Sequence, residues 1–263
     1  IPDIVAEARF LAGEGVKELI VVAQDITAFG ADRGRVEIAE LLDALNAVEG
    51  IEWIRLLYAY PERITDAFIA AMTRNEKVLH YLDVPIQHIN SEMLRAMNRR
   101  GDRETVLDAL TRLRAAMPDI TLRTTLITGE TQAQFEELCE FVKDYAFDRL
   151  GCFAYSEEEG TVAAGLPQLP QELREQRAEA VMNIQANVMA RRQEEKVGRT
   201  VQVICDGYDD ENDLYICRTR ADAPDIDAEC CVRSETPLEP GAFYRVTIEE
   251  SDVYDLYGAL AES

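Results

Sequence analysis

The side chains best suited to chemistry crowd into one stretch, His80-Tyr81-Leu82-Asp83-Val84-Pro85-Ile86-Gln87-His88, which holds both histidines of the chain. Tyr81 to Val84 reads as a short buried strand. Pro85 ends it, because a proline cannot donate to a central ladder. Gln87 and His88 then stand just past the strand's C-terminal end, where parallel α/β folds bind their ligands. An amide and an imidazole there can give and take hydrogen bonds around a small polar ligand. The plainer reading is that His88 caps the strand by bonding a backbone carbonyl.

Other strand ends carry polar groups of the same kind: Gln24 and Asp25, Tyr58 and Tyr60, Arg123 and Thr125, and Tyr155 with Ser156. Gathered at one end of a sheet they would line a pocket, although any one of them could be structural. Arg123 is the sharpest, since a charged residue inside a β-branched run is rarely buried without an anion. That anion is either a ligand or an internal partner, Asp83 or Asp25. A metal held by His80, Asp83 and His88 matches no specific ligand spacing. Arg99-Arg100-Gly101 could meet an anion, and a solvated helix end is the plainer reading.

Several chemistries lose support. A Schiff-base enzyme needs a lysine at a strand end, and the four lysines (Lys17, Lys77, Lys143, Lys196) lie elsewhere. A glycosidase needs two facing carboxylates, and nothing pairs Asp25 with Glu157. No Walker or dinucleotide glycine motif is present. The six cysteines show no C-x-x-C spacing, and they sit where Cys acts as a small apolar residue. A reducing, cytoplasmic compartment is therefore expected rather than a disulfide framework.

The elements that must position these groups follow from the apolar pattern. Helices are expected over Ile4–Gly15, Val36–Val48, Ile64–Arg74, from Asn90 or Ser91 through Met97, Arg103–Met117, and from Thr131 to about Tyr145, where Thr131 and Gln134 make a capping box. Strands are expected over 18–23, 53–60, 81–84, 121–128 and 150–155. Strand and helix thus alternate five times at roughly 30-residue intervals, the rhythm of parallel βα units. The chain opens on a helix at Ile1-Pro2-Asp3, as a fragment of a longer protein would. The expected fold is α/β: a partial six-unit TIM-like barrel with its first strand missing, or else an open doubly wound sheet.

After Pro167 and Pro170 a long helix, with Leu173, Val181, Ile184 and Val188 as its stripe, connects to a different pattern. From Arg199 the chain alternates in short runs separated by turns, which predicts a small antiparallel β-barrel. The boundaries expected are 1–167, 168–198 and 199–263. The whole chain, 263 residues long, has a net charge of −23. The last segment holds 16 acidic and 5 basic residues, a net −11. Such charge argues against tight binding to a phosphate backbone and favours a basic partner, or else simply keeps the protein soluble. No run of about 18 apolar residues is present, so no membrane span is expected.

Several phrases together carry a resemblance. They are Val22-Ala23-Gln24-Asp25-Ile26-Thr27-Ala28-Phe29-Gly30, Leu82-Asp83-Val84-Pro85-Ile86-Gln87-His88, Leu122-Arg123-Thr124-Thr125, Tyr155-Ser156-Glu157-Glu158-Glu159-Gly160-Thr161, Arg218 to Asp227, and Tyr254-Asp255-Leu256-Tyr257-Gly258. Over essentially its whole length the chain resembles the radical S-adenosylmethionine methylthiotransferases, in particular the RimO family that modifies an aspartate of ribosomal protein S12. The Asp222-Ala223-Pro224-Asp225-Ile226-Asp227 phrase separates it from the similar tRNA methylthiotransferases. The resemblance implies a radical SAM barrel followed by a TRAM domain. It implies S-adenosylmethionine and two [4Fe–4S] clusters as cofactors, with all cluster cysteines outside this chain. It also implies a 5′-deoxyadenosyl radical that takes a hydrogen from the β-carbon of the target aspartate, and an electron-donor protein. On that resemblance Arg123 is expected to meet an anionic part of S-adenosylmethionine. Gln87, His88 and Thr125 are expected to line its pocket, with Gln24 and Asp25 near the substrate or second cluster. The alternatives are a tRNA methylthiotransferase and a non-catalytic docking fragment. Two departures stand inside the match: Gly129-Glu130-Thr131 is shorter than the family's Gly-Phe-Pro-Gly-Glu-Thr, and the segment after Gly30 is short.

Overall fold

A computed structural model describes residues 1–160, 163–165 and 168–261. Thr161 of the acidic exit loop and Pro167 before the long helix lie outside the described residues. The first half is a five-stranded parallel sheet in sequential order, β1 (Glu18–Val22), β2 (Trp53–Leu57), β3 (Val78–Asp83), β4 (Thr121–Thr128) and β5 (Arg149–Ala154). The crossovers carry α2 (Ile38–Asn46), α3 (Asp66–Arg74), α4 (Ser91–Ala96), α5 (Arg103–Ala116) and α6 (Gln132–Tyr145), and α1 (Pro2–Gly13) precedes β1. The sequential order is that of a curling barrel, not of a doubly wound sheet, whose order reverses at a switch point. The helix α1 begins two residues earlier than its apolar face requires, with Pro2 as the first residue, where its missing N–H costs nothing. The capping box at Thr131 and Gln134 is present.

Each strand of the sheet divides its side chains by period two. Ile54 and Leu56, Val78 and Leu82, Leu122 and Leu126 face the helices and join one large core with Leu41, Leu42, Phe68, Leu110, Leu113 and Val142. The opposite, concave face carries Trp53, Tyr81, Asp83, Arg123 and Arg149. Parallel strands of this kind are held by burial on the helix side, which leaves the concave side free for other work.

The long helix α7 (Gln171–Glu194) packs along β5 and α6 and leads to a closed five-stranded barrel. Its strands are β6 (Thr200–Asp209), β7 (Leu214–Thr219), β8 (Cys230–Arg233), β9 (Phe243–Ser251) and β10 (Leu256–Leu260). Four of its five ladders are antiparallel, as expected; β8 and β10 close the barrel in parallel. Val203, Cys205, Cys217, Cys230, Val232, Val246 and Ile248 fill its interior. All six cysteines are free thiols. A third apolar cluster joins the two parts: Trp53, Leu79 and Tyr81 of the sheet meet Ile204, Ala223 and Phe243 of the barrel.

Candidate functional site

Two polar regions line the concave side, and they differ in how completely they are paired. The first is the mouth formed by the C-terminal strand ends. Gln87 sits there in a left-handed backbone conformation (φ 68°). It is held by its N–H donating to Thr125 O at 2.9 Å and its carbonyl accepting from Ile127 N–H at 2.9 Å. Tyr58, past β2, has φ 64°, and its carbonyl accepts from Ile26 N–H at 3.0 Å. Non-glycine residues in this conformation cost energy, and the surrounding bonds hold them. His88 is fully buried. Its Nδ1 accepts from Asn90 N–H at 2.9 Å, so the ring hydrogen is on Nε2. Burial pulls the His88 pKa down to about 4, against the pull of Glu137, so the ring is neutral at pH 7.

Below α4 the mouth holds a cavity of about 350 Å³, lined by Met93, Met97, Ile127, Glu130 and Tyr155 among others. The apolar residues of α4 and its C-cap are therefore split: Leu94 faces the core, while Met93 and Met97 wall the cavity. Glu130 is almost wholly buried, and burial raises its carboxyl pKa over the opposing amides of Gly129 and Glu130 and the Arg177 guanidinium. Nine buried polar side-chain atoms have no partner among the described residues. Six of them belong to Gln87, His88, Glu130, Tyr155, Arg174 and Arg177; Glu130 and Tyr155 line the cavity, and Arg174 and Arg177 reach the Tyr155 and Glu130 carbonyls beside it. Natural folds rarely leave such atoms unmatched unless something else comes to meet them.

The other residues expected at the mouth divide. Gln24 is exposed just past β1. Asp25 is occupied as an N-cap, accepting from Thr27 N–H at 3.0 Å, with Arg63 at 3.4 Å. Thr125 lies half-buried in β4 beside Gly151. Tyr60 is covered by the Arg99 guanidinium, 4.8 Å from the ring centre. Ser156 is exposed, and Glu157 pairs with Arg174 at 3.7 Å.

Arg123 does not join this group. It stands early in β4, level with Asp83, and its Nη1 donates to Asp83 at 2.9 Å while Nε lies 3.4 Å from Asp227. Its anions are internal. This second region is the base, where the barrel meets the sheet. Asp227 accepts from the Tyr81 hydroxyl at 2.6 Å, and Arg149 Nε donates to Asp222 at 3.1 Å. Glu18 pairs with Arg55 and with Arg218, both at 2.8 Å. His80 is paired with Asp119 at 2.7 Å, away from Asp83 and His88. The supposed metal triad is thus dispersed, and among the described residues no group of three His, Cys, Asp or Glu could hold a metal.

Sequence reasoning missed Glu130 and the two methionines. Glu130 follows a glycine at a strand end, the only signal it offered. It also saw the Asp222–Asp227 phrase without its role. That loop carries the two aspartates that fasten the barrel to the sheet.

The Radical SAM superfamily model matches residues 1–142 and the TRAM domain model residues 197–260. The chain belongs to the radical SAM superfamily. It is 45% identical to the ribosomal protein uS12 methylthiotransferase RimO of Acetivibrio thermocellus, over 97% of this chain and 58% of that protein. It is 44% identical to RimO of Lachnoclostridium phytofermentans, over 97% of this chain and 59% of that protein. The chain therefore spans about three fifths of the length of the curated relatives it matches. Among solved structures it superposes on coproporphyrinogen III oxidase (HemN) from Escherichia coli, a radical SAM enzyme. The TM-score is 0.51 at 19% identity, covering 72% of this chain and 44% of that one, a likeness of fold alone.

The superfamily's two requirements fit this chain unequally. The mouth suits S-adenosylmethionine: apolar walls for a flat ring and thioether carbons, and unmatched polar atoms for its ends. An iron–sulfur cluster does not fit. Cys139 and Cys152 lie on α6 and β5 and the other four thiols lie in the C-terminal barrel, so no described residue set could ligate one.

Proposed function

We propose that this chain is the radical-domain and TRAM portion of a methylthiotransferase that modifies the β-carbon of an aspartate in ribosomal protein S12. The observation that carries the reading is identity of 41–45% to RimO proteins along nearly the whole chain. The clustering of unpartnered polar atoms at the strand mouth supports it. S-adenosylmethionine, when bound, supplies the power to remove a hydrogen atom from an unactivated carbon. The iron–sulfur clusters would be held by parts of the protein beyond these residues.

The chain's own residues bind, orient and exclude water. Met93, Met97 and Ile127 offer an apolar wall. Gln87 Oε1 and Tyr155 OH accept or share the donors of the bound molecule, and the neutral His88 Nε2–H donates. Thr125 and Gln24 border the space left for the substrate. Asp25 acts through its cap, fixing the turn after β1. Arg123 acts as a positioning residue through Asp83 and Asp227. The net −11 of the last segment complements a basic ribosomal protein. The electron donor is a separate protein, and the setting is the cytoplasm. No described helix is long and apolar enough to cross a membrane.

The test is mass spectrometry of ribosomal protein S12 and of tRNA from cells lacking the full-length protein. S12 is expected to lose its methylthio group. Loss from tRNA alone would reject the proposal in favour of the tRNA branch.

A further inference from the structure

A groove of about 390 Å³ runs between β5, α7 and the C-terminal barrel, lined by Gly151, Phe153, Met182, Gln185, Ile226 and Tyr254 among others. Three of these are large apolar side chains left in the open: Phe153 is 62% exposed, Ile226 49% and Tyr254 44%. They come from three separate segments, yet they border one hollow. Isolated exposed apolar residues are ordinary, but a convergent set marks an interaction surface. The floor carries Arg123 and Arg149, which bring no free charge because Asp83, Asp227 and Asp222 already pair them. It also carries Gln185, 1% exposed, whose Nε2 donates to Phe147 O at 2.9 Å while its Oε1 has no partner among the described residues.

One wall of the groove is a sheet edge. Among the described residues β5 is bonded to β4 on one side only. Edge strands pair readily with an added strand, and main-chain hydrogen bonds then hold the extended peptide. Gly151, in the middle of β5, leaves the face beside the Phe153 ring low: a Cβ placed there meets only that ring, at 3.5 Å. The rim is acidic, with Asp255 in the lining and a barrel of net charge −11 beside it.

We propose that this groove takes an extended, basic segment of the substrate protein, laid against the β5 edge. Phe153, Ile226 and Tyr254 pack its side chains, and Gln185 Oε1 accepts from one of its donors. The occupant is taken to be ribosomal protein S12, so the inference rests on the function proposed above. The loop that fastens the barrel to the sheet also supplies Ile226, so the same fastening shapes the groove.

The test uses the full-length protein with a photo-reactive benzoylphenylalanine in place of Phe153. The control carries it at Phe10, which is 66% exposed on α1. After irradiation with purified S12, cross-links are expected from position 153 to a lysine- and arginine-rich segment, and none from position 10. The surface variant F153S/Y254S should weaken S12 binding roughly tenfold, as interface anchors do, with S-adenosylmethionine binding unchanged. Added salt should weaken the wild-type complex. If S12 is bound and modified but position 153 gives no cross-link and the variant binds normally, the groove is not the docking site and the proposed function stands. If an acidic control protein cross-links as well as S12 does, the claim of a basic occupant is overturned. If S12 is neither bound nor modified by the wild-type protein, the proposed function fails and this inference falls with it.

Discussion

Two polar regions of the parallel sheet use the same kinds of residue to opposite purposes. At the base, Arg123, Arg149, Asp222, Asp227 and Tyr81 are buried and matched to one another across the sheet–barrel junction. At the mouth, Gln87, His88, Glu130 and Tyr155 each hold a buried polar atom matched to nothing among the described residues. A satisfied network rigidifies, whereas an unsatisfied one is unstable until a ligand completes it. The base therefore looks built for position and the mouth for binding. Substitutions at the base should cost stability and spare cofactor affinity, and those at the mouth should do the reverse.

The harshest test of that contrast is Asp222→Ala. It leaves Arg149 buried beside Lys196 without the carboxylate that hydrogen-bonds it, and with only the more distant charge of Asp227. Breaking one side of a buried pair costs about 3–5 kcal/mol, read as a lower denaturant midpoint. Pairing it with Arg149→Met should restore most of the loss, because an apolar pair of similar size carries no orphan charge. A cost below about 1 kcal/mol for Asp222→Ala would erase the distinction.

The next effect is a pH dependence at the mouth. His88 has a folded pKa of about 4 against an ordinary value of 6.5, set by burial. Between those values the unfolded chain takes up a proton that the folded chain refuses. The stabilising effect is thus complete above pH 6.5 and lost as pH falls towards 4, by about 3 kcal/mol. Unfolding measured from pH 7 to 4 should therefore fall less steeply for His88→Gln than for the wild type. Parallel slopes would mean that the ring is solvated. At the base, Asp227→Asn keeps an acceptor for Tyr81 and leaves Asp83 to pair Arg123, so it should cost only about 1–2 kcal/mol.

The sequence was legible where one principle dominated. Five βα units and the long helix followed from apolar periodicity, and the caps at Asn90 and Thr131 from their side chains, whereas the polar strand ends, expected together, divide between a cavity, a helix cap and exposed positions. It was incomplete at Arg123. A lone cation inside Thr121–Thr128 does imply a buried anion, and Asp83 was one of the internal partners it allowed, but the local pattern could not say that a second anion lies 104 residues later in Asp227. Glu130 and the methionines were hidden for a related reason. A residue's place on a helix face decides between core and cavity only once the neighbouring strand ends are known, and Met93 and Leu94 differ by a single step. The parallel closure of β8 on β10 was out of reach because alternation gives a strand's faces but not its neighbours.

The smallest effect separates the two regions most cleanly. Tyr155 OH is buried and bonds to nothing among the described residues, while the Arg174 guanidinium lies 5.8 Å from its ring centre. Tyr155→Phe removes only that oxygen and leaves the ring contact. An unmatched buried hydroxyl contributes no stability, so the melting point should hold or rise slightly, with a change in stability within about 0.5 kcal/mol. If the hydroxyl meets S-adenosylmethionine, the loss of one hydrogen bond should weaken binding several-fold, about 0.5–1.5 kcal/mol. Equilibrium dialysis on the full-length protein reads this directly, with Asp227→Asn as the counterpart that should leave affinity alone. A Tyr155→Phe protein that binds the cofactor as tightly as the wild type would show that its hydroxyl is not part of the binding surface.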